Sequence, residues 1–445
     1  MSRKLTGLAA SAGVASVSEI SRNVERVNRV AMLSIHTSPL EQPGTGDAGG
    51  LNVYVVQLSR QLAQLGINVE IFTRATNSHT PPVTELDERI IVRHLESGVF
   101  EGLKKEDLPA QLCSLSSGVL RAEANRPPGW YDVIHSHYWL SGQVGFVASE
   151  RWDVPLIHSM HTLAKVKNQA LAEGDTPEPQ LRVHGEQIVV DTADRIVANT
   201  VDERNELIEL YGADPHRVSV VHPGVDLENF GPGDPATARD ALGVRADAEL
   251  LVFVGRIQPL KAPDVLVKAV AELVAVNPER RHRLQLVICG GPSGAGMERL
   301  HALEQLAVDL GVDDLVRFIP PADHPTLATW FQAADLVCVP SHSESFGLVA
   351  VEAQACGTPV VATDVGGLRT TVANGTSGIL IDNHRPRDWA HAIAGLLDDR
   401  KKLVKLSTGA LAHARQFSWH DTARRTLEVY RDAVSDRQKL QRSVG

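Results

Sequence analysis

Aromatic residues and cysteines are scarce in this sequence. Only 4% of the residues are Phe, Trp or Tyr, whereas 43% are hydrophobic. An apolar content dominated by Ala, Val and Leu suits parallel sheets covered by helices better than a β-sandwich. The cysteines form no CxxC pair and are widely separated, at Cys113, Cys289, Cys338 and Cys356. They therefore predict neither a zinc knuckle nor a disulfide framework.

A surplus of positive charge is also missing. The formal net charge is −10 at pH 7, whereas binding to nucleic acid or to an anionic membrane needs a basic surface. We therefore expect neither kind of partner. Any phosphate that binds must be held by a few local cations.

Long apolar runs are missing as well. No segment approaches the roughly 20 apolar residues that span a bilayer. An Ala/Ser/Gly-rich stretch follows Arg3 and Lys4, but it contains too little strong hydrophobicity for a signal peptide. The sequence predicts a cytoplasmic protein whose residues 1–28 form a flexible tail.

The chain length and the hydrophobic pattern predict two α/β domains that face a cleft, since 445 residues are too many for one ordinary core. In the first half, apolar runs predict strands at 29–36, 68–73, 133–137, 156–161 and 195–199. Between the first two of these strands, helical spacing is shown by Leu51, Val55, Leu58, Leu62 and Leu65. A further short strand at 218–221 ends in a His-Pro-Gly sequence, and a Gly/Pro/Asp-rich linker follows over 226–235. The first domain is therefore predicted over 29–227.

The second half repeats this alternation. Strands are predicted at 250–254, 284–289, 316–319, 336–339 and 360–363, with helical or turn segments between them. A final helix is predicted over about 419–439 from its apolar spacing. The sequence therefore predicts an α/β fold with a second doubly wound, Rossmann-like domain over 228–417 and a C-terminal helix over 418–445.

A glycine-rich segment follows the first strand. Gly44-Thr45-Gly46-Asp47-Ala48-Gly49 matches the GxGxxG pattern of dinucleotide-binding folds. Its glycines begin some eight residues after the predicted strand, and the second strand ends in Thr73-Arg74 with no acid for a ribose. We therefore disfavour a dinucleotide site. The segment is either a tight connection or a loop whose Gly49 and Gly50 let a phosphate or sugar approach a helix start.

Two cations follow the first strand of the second domain, where folds of this class bind anions. Arg256 and Lys261 are five residues apart, and they can converge on a diphosphate, Arg through its planar fork and Lys as a point charge. Taken alone, the pair is better explained as two solvated surface charges.

Two glutamates eight residues apart, Glu344 and Glu352, lie on either side of a Ser-Phe-Gly turn. We expect Glu344 in a loop and Glu352 about one turn into the helix that follows. Acids near a helix N-terminus often only stabilise the helix dipole. The spacing by itself is therefore weak support for a site.

Four histidines are predicted to gather at the ends of two adjacent strands: His135, His137, His158 and His161. The two-residue strand period places His135 and His137 on one face. No paired acids or cysteines accompany them, so pocket-lining or hydrogen-bonded core histidines are favoured over a metal site. His161 follows a strand end and can face the cleft.

Taken in order, the Gly49-Gly50 pair, Arg256 with Lys261, and the two glutamates resemble the retaining GT-B glycosyltransferases, which include sucrose-phosphate synthases and bacterial glycogen synthases. The resemblance covers about residues 29–430. Within that group, residues 46–52, 104–109, 135–142 and 161–163 look most similar to the D-inositol-3-phosphate glycosyltransferase family, which starts mycothiol synthesis in actinobacteria. These segments together are specific.

The resemblance implies UDP-N-acetylglucosamine as the donor and a set of donor contacts. By matching position, Arg256 and Lys261 would bind the diphosphate. Glu352 would bind the ribose, Glu344 the sugar, and His161 would position that sugar. The remaining implied donor contacts are Gln42, Pro43, Gly50 and the backbone of Ala322, beside uracil.

The resemblance likewise implies 1D-myo-inositol 3-phosphate as the acceptor. The implied inositol contacts are His36, Asp47, Ala48, Gly49, Gly50, Leu51 and Asn52. The implied phosphate cage consists of Lys105, Tyr138, Thr162 and Arg182. Such a cage is chemically sensible, because Lys and Arg supply charge while Tyr and Thr supply hydroxyl donors.

Relatives of this kind also carry a magnesium ion, held mainly by main-chain oxygens. It would map to Phe331, Gln332, Ala334 and Thr358 and would be structural, since the chemistry requires no cofactor.

One departure from the pattern of the wider group is that Leu368-Arg369-Thr370-Thr371 follows Gly366-Gly367, where many relatives have a glutamate. This departure weakens any transfer from glycogen synthases. The oligomeric state is left open, a homodimer included.

The expected reaction is a front-face transfer with retention, because no carboxylate pair here supports double displacement. Arg256 and Lys261 would stabilise the charge on the departing diphosphate, and the leaving phosphate would take the acceptor proton.

Alternative functions remain. They are a phosphatidylinositol mannosyltransferase, for which no basic amphipathic docking segment is found, a sucrose-phosphate-synthase-like enzyme, a nucleotide-sugar epimerase, and a noncatalytic nucleotide-sugar-binding module.

Overall fold

Alternating strands and helices build two parallel sheets in this chain. The computed structural model describes residues 27–172, 174–291 and 296–444. Short apolar strands lie between helices in both halves, because a strand that is apolar on both faces needs cover on both. The predicted α/β class is therefore what the structure shows. Of the predicted tail, residues 1–26 lie outside the described residues.

Within those residues, eight strands form the first sheet: Arg29–Leu33 (β1), Asn68–Arg74 (β2), Val83–Asp87 (β3), Ile90–Leu95 (β4), Val133–His137 (β5), Leu156–Ser159 (β6), Arg195–Ala198 (β7) and Val218–Val220 (β8). Their order across the sheet is β3-β4-β2-β1-β5-β6-β7-β8. Neighbours are parallel except at the edge, where β3 runs antiparallel to β4.

The second sheet has six strands in the described part of the chain: Glu249–Val254 (β9), Leu284–Cys289 (β10), Val316–Ile319 (β11), Leu336–Val339 (β12), Val360–Thr363 (β13) and Gly378–Ile381 (β14). Their order is β11-β10-β9-β12-β13-β14, and every pairing is parallel.

Helices cover both faces of the sheets. Those of the first half are Gly50–Gln64 (α1), Leu112–Ala124 (α2), Trp139–Trp152 (α3), Ala164–Gln169 (α4), Gln180–Thr192 (α5) and Val201–Tyr211 (α6). Those of the second half are Pro235–Leu242 (α7), Pro263–Val276 (α8), Gly296–Asp309 (α9), His324–Ala333 (α10), Leu348–Ala355 (α11), Leu368–Thr371 (α12), Pro386–Leu397 (α13), Arg400–Ala414 (α14) and Trp419–Val444 (α15). Short 3-10 helices span Lys105–Gln111, Pro259–Lys261 and Pro278–His282.

Several helix ends are set by local chemistry. The Thr200 side chain accepts a hydrogen bond from the Glu203 N–H at the start of α6, and Gly212 ends that helix in a left-handed conformation. Asp234 and Asp323 cap α7 and α10 in the same way as Thr200. Such caps satisfy backbone groups that a helix end leaves unpaired.

The first strand of each sheet lies at a point where the strand order reverses. β1 pairs with β2 on one side and β5 on the other, and β9 pairs with β10 and β12. Ligands of doubly wound sheets bind at such points, outside the carboxyl ends of the strands. The glycine-rich segment follows β1 and Arg256 follows β9, so the topology brings both predicted motifs to ligand-binding positions.

The terminal helix α15 packs against the first half of the chain. Trp419, Ala423, Leu427 and Tyr430 share a buried cluster with α1 and the first sheet. Ion pairs add to this contact, such as Arg437 with Asp153 at 3.1 Å. None of the helices within the described ranges is both long and apolar enough to cross a bilayer.

Two strand predictions are too long and three strands were missed. β1 ends at Leu33 and β6 at Ser159, so His36 and His161 lie in turns after the strands. The chain leaves β6 because His161 adopts a positive φ of 60°, which a strand cannot contain. The missed strands are β3 and β4 at one edge of the first sheet and β14 at one edge of the second. Three of the five residues of β3 are exposed, so its apolar pattern is weak.

Candidate active site

Tyr138 is the centre of the predicted acceptor side. Its ring centroid lies 5.0 Å from Lys105 Nζ and 5.0 Å from Arg182 Cζ, and 4.3 Å from the His36 ring. Two cations beside one aromatic ring are favourable contacts for the ring quadrupole. Tyr138 has φ 71° and ψ 150° at the start of α3, a conformation that is costly for a side chain other than glycine. The fold thus holds this ring in a strained position between two positive charges.

Arg182 is buried and held by acidic partners. Its Nε donates to Glu186 at 2.7 Å, its Nη1 contacts Glu178 at 2.9 Å, and its Nη2 donates to the Thr162 carbonyl at 3.3 Å. Burial alone would lower the pKa of Arg182, but Tyr138 and the two glutamates raise it. The guanidinium is therefore a fixed cation at the wall of the cleft.

The glycine-rich segment folds over the start of α1 and is held by Asn52. The Asn52 side chain accepts from the Gly49 N–H at 2.9 Å and donates to the Ser38 carbonyl at 2.6 Å. Asn52 and Ala48 are buried, so their side chains support the shape of the loop. Their assignment to the inositol contacts, like that of Leu51, stays a prediction.

Asp47 lies between the two halves of the site. Its carboxylate is 3.6 Å from Lys105 Nζ and 3.9 Å from Arg256 Nη1. Lys105 belongs to the predicted acceptor cage and Arg256 to the predicted donor site, so one carboxylate contacts both sets. This pairing brings the motifs after β1 and β9 together.

His161 is partly buried and belongs to a chain of packed rings. Its Nε2 is 2.9 Å from His137 Nδ1, and its backbone carbonyl accepts a hydrogen bond from the Ser345 hydroxyl. Its ring packs edge-on to Tyr54 at 4.8 Å. Burial lowers the pKa of His161 to about 3. The imidazole is therefore neutral at pH 7, and its backbone fixes it to the second domain's Glu344 loop.

The other three histidines are hydrogen-bonded core residues. His135 lies between the Tyr430 hydroxyl at 2.7 Å and the Ser159 hydroxyl at 2.9 Å. His158 contacts the Ser136 hydroxyl at 2.7 Å. Burial lowers the pKa of each of these histidines. Among the residues that the structure describes, no group of three or more His, Cys, Asp or Glu is placed to hold a metal.

The two cations predicted to bind the donor lie close to the Glu344 loop. Lys261 forms an ion pair with Glu344, and the next residue, Ala262, has a positive φ of 49°. Burial lowers the pKa of Arg256, although Asp47 and Glu344 act in the opposite direction. Both predicted cations thus face carboxylates at the carboxyl edge of the second sheet.

Gly366 and Gly367 support the Glu344 loop by close backbone contact. A Cβ on Gly366 would lie 2.4 Å from the Glu344 carbonyl oxygen, and one on Gly367 would lie 2.3 Å from Phe346 Cα. The Gly367 N–H donates to the Glu344 carbonyl at 2.8 Å. Only glycine fits this approach, so the pair has a structural reason that does not depend on a following glutamate.

Glu352 is buried in α11. Burial, together with the nearby Asp226, raises its pKa to about 8. Asp226 accepts a hydrogen bond from the Gln57 amide of α1 at 3.1 Å. A carboxylate in this setting needs hydrogen-bond donors to be ionised cheaply, which a ribose diol would supply.

The segment 42–44 of the first half meets the loop after β11. The Gln42 amide donates to the Pro321 carbonyl at 3.4 Å, and a Cβ on Gly44 would lie 3.2 Å from Pro321. Pro43 lies between these contacts and Ala322 follows Pro321. The structure thus brings together the residues predicted for the far end of the donor.

The four residues predicted for magnesium are also close together. The Phe331 carbonyl accepts from the Thr358 hydroxyl and from the Ala334 N–H at 3.2 Å, and the Gln332 amide donates to Gly231 at 2.8 Å. Both lone pairs of the Phe331 oxygen therefore have partners, and a cation would have to replace one of them. The geometry does not favour this magnesium site, whose assignment stays a prediction.

The sequence interpretation missed several residues of the site. Glu178 and Glu186 flank Arg182 at four-residue spacing, a helix pattern that could have identified them. Lys167 pairs with Glu178, and Ser345 contacts His161. No sequence signal pointed to those two contacts.

Comparisons with known proteins agree with this geometry. Residues 235–412 match the model of the glycosyl transferases group 1, and residues 49–224 match that of the glycosyl transferase 4-like domain. A sucrose-phosphate synthase from Thermosynechococcus elongatus has a similar structure, with a TM-score of 0.84 and 30% identity over 92% of this chain and 100% of that one. The predicted fold class, GT-B with two Rossmann-like domains, is confirmed.

Two relatives cover nearly the whole chain. The D-inositol 3-phosphate glycosyltransferase of Thermobispora bispora is 61% identical over 409 residues, which are 92% of this chain and 96% of the relative. D-inositol 3-phosphate glycosyltransferase 2 of Catenulispora acidiphila is 60% identical over 412 residues, 93% of this chain and 96% of the relative. The predicted resemblance is thereby confirmed, and the chain belongs to the D-inositol 3-phosphate glycosyltransferase family within the group 1 glycosyltransferases.

Proposed function

We propose that this protein transfers N-acetylglucosamine, with retention, from UDP-N-acetylglucosamine to 1D-myo-inositol 3-phosphate, the first step of mycothiol biosynthesis. The observation that carries the proposal is the convergence of Lys105, Tyr138 and Arg182 from three separate segments. They lie within reach of the donor cation Arg256 through Asp47. The names of the relatives support the same acceptor.

The acceptor side suits a small phosphorylated alcohol. Lys105 and Arg182 supply positive charge, and Tyr138 supplies a hydroxyl and a flat ring between them. The neutral His36 ring lies against Tyr138, because burial and the surrounding cations lower its pKa well below the usual range. A neutral imidazole and the backbone of the glycine-rich loop can hydrogen-bond uncharged ring hydroxyls.

The donor side suits a nucleoside diphosphate sugar. Arg256 and Lys261 would bind the diphosphate, and the buried carboxylate of Glu352 would accept from the ribose hydroxyls. Once a diphosphate engages Lys261, Glu344 is released from its ion pair and can accept from a sugar hydroxyl. The resemblance implies these assignments, and they are supported by the position of Arg256 and Lys261 after β9 and by the ion pair between Lys261 and Glu344.

The reaction proceeds on one face of the sugar. The bond between the anomeric carbon and the UDP oxygen breaks, the acceptor hydroxyl oxygen bonds to the same face, and its proton passes to the leaving phosphate. Arg256 and Lys261 stabilise the negative charge that grows on the diphosphate. Neutral His161 hydrogen-bonds the donor sugar without adding positive charge beside the cationic anomeric carbon. Closure of the two domains excludes water and limits hydrolysis.

No cofactor takes part in this scheme. If a magnesium ion binds near Phe331 and Thr358, its role is structural. The proposal includes a cytoplasmic location, which the free cysteines among the described residues favour.

The test is a direct assay. Purified protein is incubated with UDP-N-acetylglucosamine and with inositol 3-phosphate, free inositol or fructose 6-phosphate, and UDP and product are followed by mass spectrometry. We expect a glycosylated inositol phosphate in the first case. Preferred transfer to fructose 6-phosphate would favour the sucrose-phosphate-synthase-like alternative, and epimerised donor without transfer would favour an epimerase.

A further inference from the structure

A carboxylate outside the predicted cage shares the Arg182 guanidinium. Glu178 Oε1 is 2.9 Å from Arg182 Nη1 and also forms an ion pair with Lys167 Nζ. Glu186 contacts the same guanidinium at Nε and is fully buried, whereas the Glu178 side chain is 21% exposed. Arg182 is thus held from within by Glu186 and from the solvent side by Glu178.

Two cations contact the single negative charge of Glu178. Burial lowers the pKa of Lys167, and although Glu178 opposes this effect, Arg182 and Lys105 lower it further. Burial alone would raise the pKa of Glu178, but Arg182 and Lys167 lower it, so Glu178 is ionised at neutral pH. Two cations therefore share the partly exposed carboxylate of Glu178, and Lys105 adds positive charge near Lys167.

Asn168 holds the backbone of Glu178, whereas ion pairs with Lys167 and Arg182 hold its carboxylate. The Glu178 N–H donates to Asn168 Oδ1 at 2.7 Å, and the Asn168 amide donates to the Glu178 carbonyl at 3.4 Å. The residues from 174 to 177 on its N-terminal side are largely exposed. A rotation of the Glu178 side chain can thus free Lys167 and Arg182 without refolding the segment.

We propose that Glu178 competes with the acceptor phosphate for Lys167 and Arg182, and that Lys167 is a further cation of the phosphate cage. The proposal rests on the function proposed above. A phosphate brings more charge and more acceptor oxygens than one carboxylate, so it displaces Glu178. Because an anion must displace Glu178 to bind, acceptor binding depends on the phosphate, and weaker anions are excluded.

The experiment compares E178Q and K167M with the parent protein. In E178Q the competing charge is gone, and we expect the KM for inositol 3-phosphate to fall about two- to fivefold, the range of a partly exposed ion pair. In K167M we expect it to rise about tenfold or more, as for a lost charge-assisted hydrogen bond. The KM for UDP-N-acetylglucosamine should stay within about twofold of the parent value in both variants, because the proposed donor contacts involve other residues.

Two control variants isolate position from charge. D175N makes the same charge change as E178Q in the same segment, and K165M removes a lysine from the same helix whose Nζ instead donates to the Leu210 carbonyl at 2.6 Å. Neither should change the acceptor KM. A second readout needs no turnover: inorganic phosphate should raise the unfolding temperature more in E178Q than in the parent, and less in K167M.

The outcomes separate the two proposals. An acceptor KM that is raised or unchanged in E178Q would show that Glu178 only holds Arg182 in place and would overturn the competition. An unchanged KM in K167M would remove Lys167 from the cage. Both results leave the proposed function intact, because that function fails only if the parent protein does not transfer sugar to inositol 3-phosphate.

Discussion

Lys105→Ala is the perturbation that tests the acceptor cage with the least damage to the fold. The Lys105 side chain is 33% exposed, and its ion pair with Asp47 is long, at 3.6 Å. Losing a partly exposed pair of this kind costs about 0–1 kcal/mol of stability. For domains of this size that is a shift of at most about 2–4 °C in Tm. The fold should therefore survive the change.

The effect on the acceptor should be much larger than the effect on stability. A hydrogen bond to a charged group is worth about 1.5–3 kcal/mol, so kcat/KM for inositol 3-phosphate should fall about 10- to 150-fold. Free inositol offers no phosphate to Lys105, so its efficiency should barely change. The assay measures both acceptors in both proteins and compares the ratios of kcat/KM.

The Arg182→Ala variant should lose stability that the Lys105→Ala variant keeps. This change also leaves the buried carboxylate of Glu186 without its cation, and breaking such a pair costs about 3–5 kcal/mol. The variant should lose both the phosphate preference and much of its thermal stability. If K105A keeps the full preference for the phosphorylated acceptor, Lys105 does not bind the phosphate and the cage is wrong.

The remaining predictions concern the donor side. Lys261→Ala should lower kcat about 100- to 1,000-fold, because its charge matters most as the diphosphate leaves; single-turnover rates at saturating donor measure this, and an unchanged rate removes Lys261 from the mechanism. Glu352→Gln should raise the KM for the UDP-sugar and reduce the preference over its 2′-deoxy analogue, since a ribose contact acts in ground and transition states alike; a preference as strong as that of the parent contradicts the ribose assignment. The same variant should change the pH dependence of stability. Because the pKa of Glu352 in the folded protein is raised to about 8 from 4.5, its favourable contribution to the free energy of unfolding is fully present below about pH 4.5 and is lost as the pH rises through 8. The unfolding temperatures of parent and variant should therefore diverge over this window in favour of the variant. Parallel curves would show that Glu352 does not titrate there. Chelation with EDTA should leave kcat unchanged, because no step uses a metal; a loss of turnover that magnesium restores would contradict this.

The central strands were predictable because buried strands consist mostly of apolar residues. β10, β12 and β13 lie inside the second sheet and coincide with the predicted runs, since a strand covered on both faces is largely apolar. The edge strand β3 alternates between exposed and half-buried residues. Its position depends on pairing with β4 rather than on its own hydrophobicity.

Candidate site residues could be identified from the sequence only where they belong to a recognisable motif. Arg256, Lys261, Glu344 and the glycine-rich segment occur at recognisable spacings. The contact between Asp47 and Arg256 joins residues more than 200 positions apart, and no local pattern encodes it. The same holds for the hydrogen bond from Ser345 to the His161 carbonyl, which depends on how the two domains face each other.

The return of α15 to the first domain has a consequence for the order in which the protein can fold. Trp419, Ala423 and Tyr430 belong to a cluster whose buried members outside α15 all lie before residue 222. The Tyr430 hydroxyl contacts His135, whose ring lies 4.2 Å from that of His137. During synthesis on the ribosome, the second domain can therefore bury its core before the first is finished. The N-terminal half must wait, with this face of its sheet exposed, until the last helix has emerged, and the histidines behind the active site are fixed only at that moment.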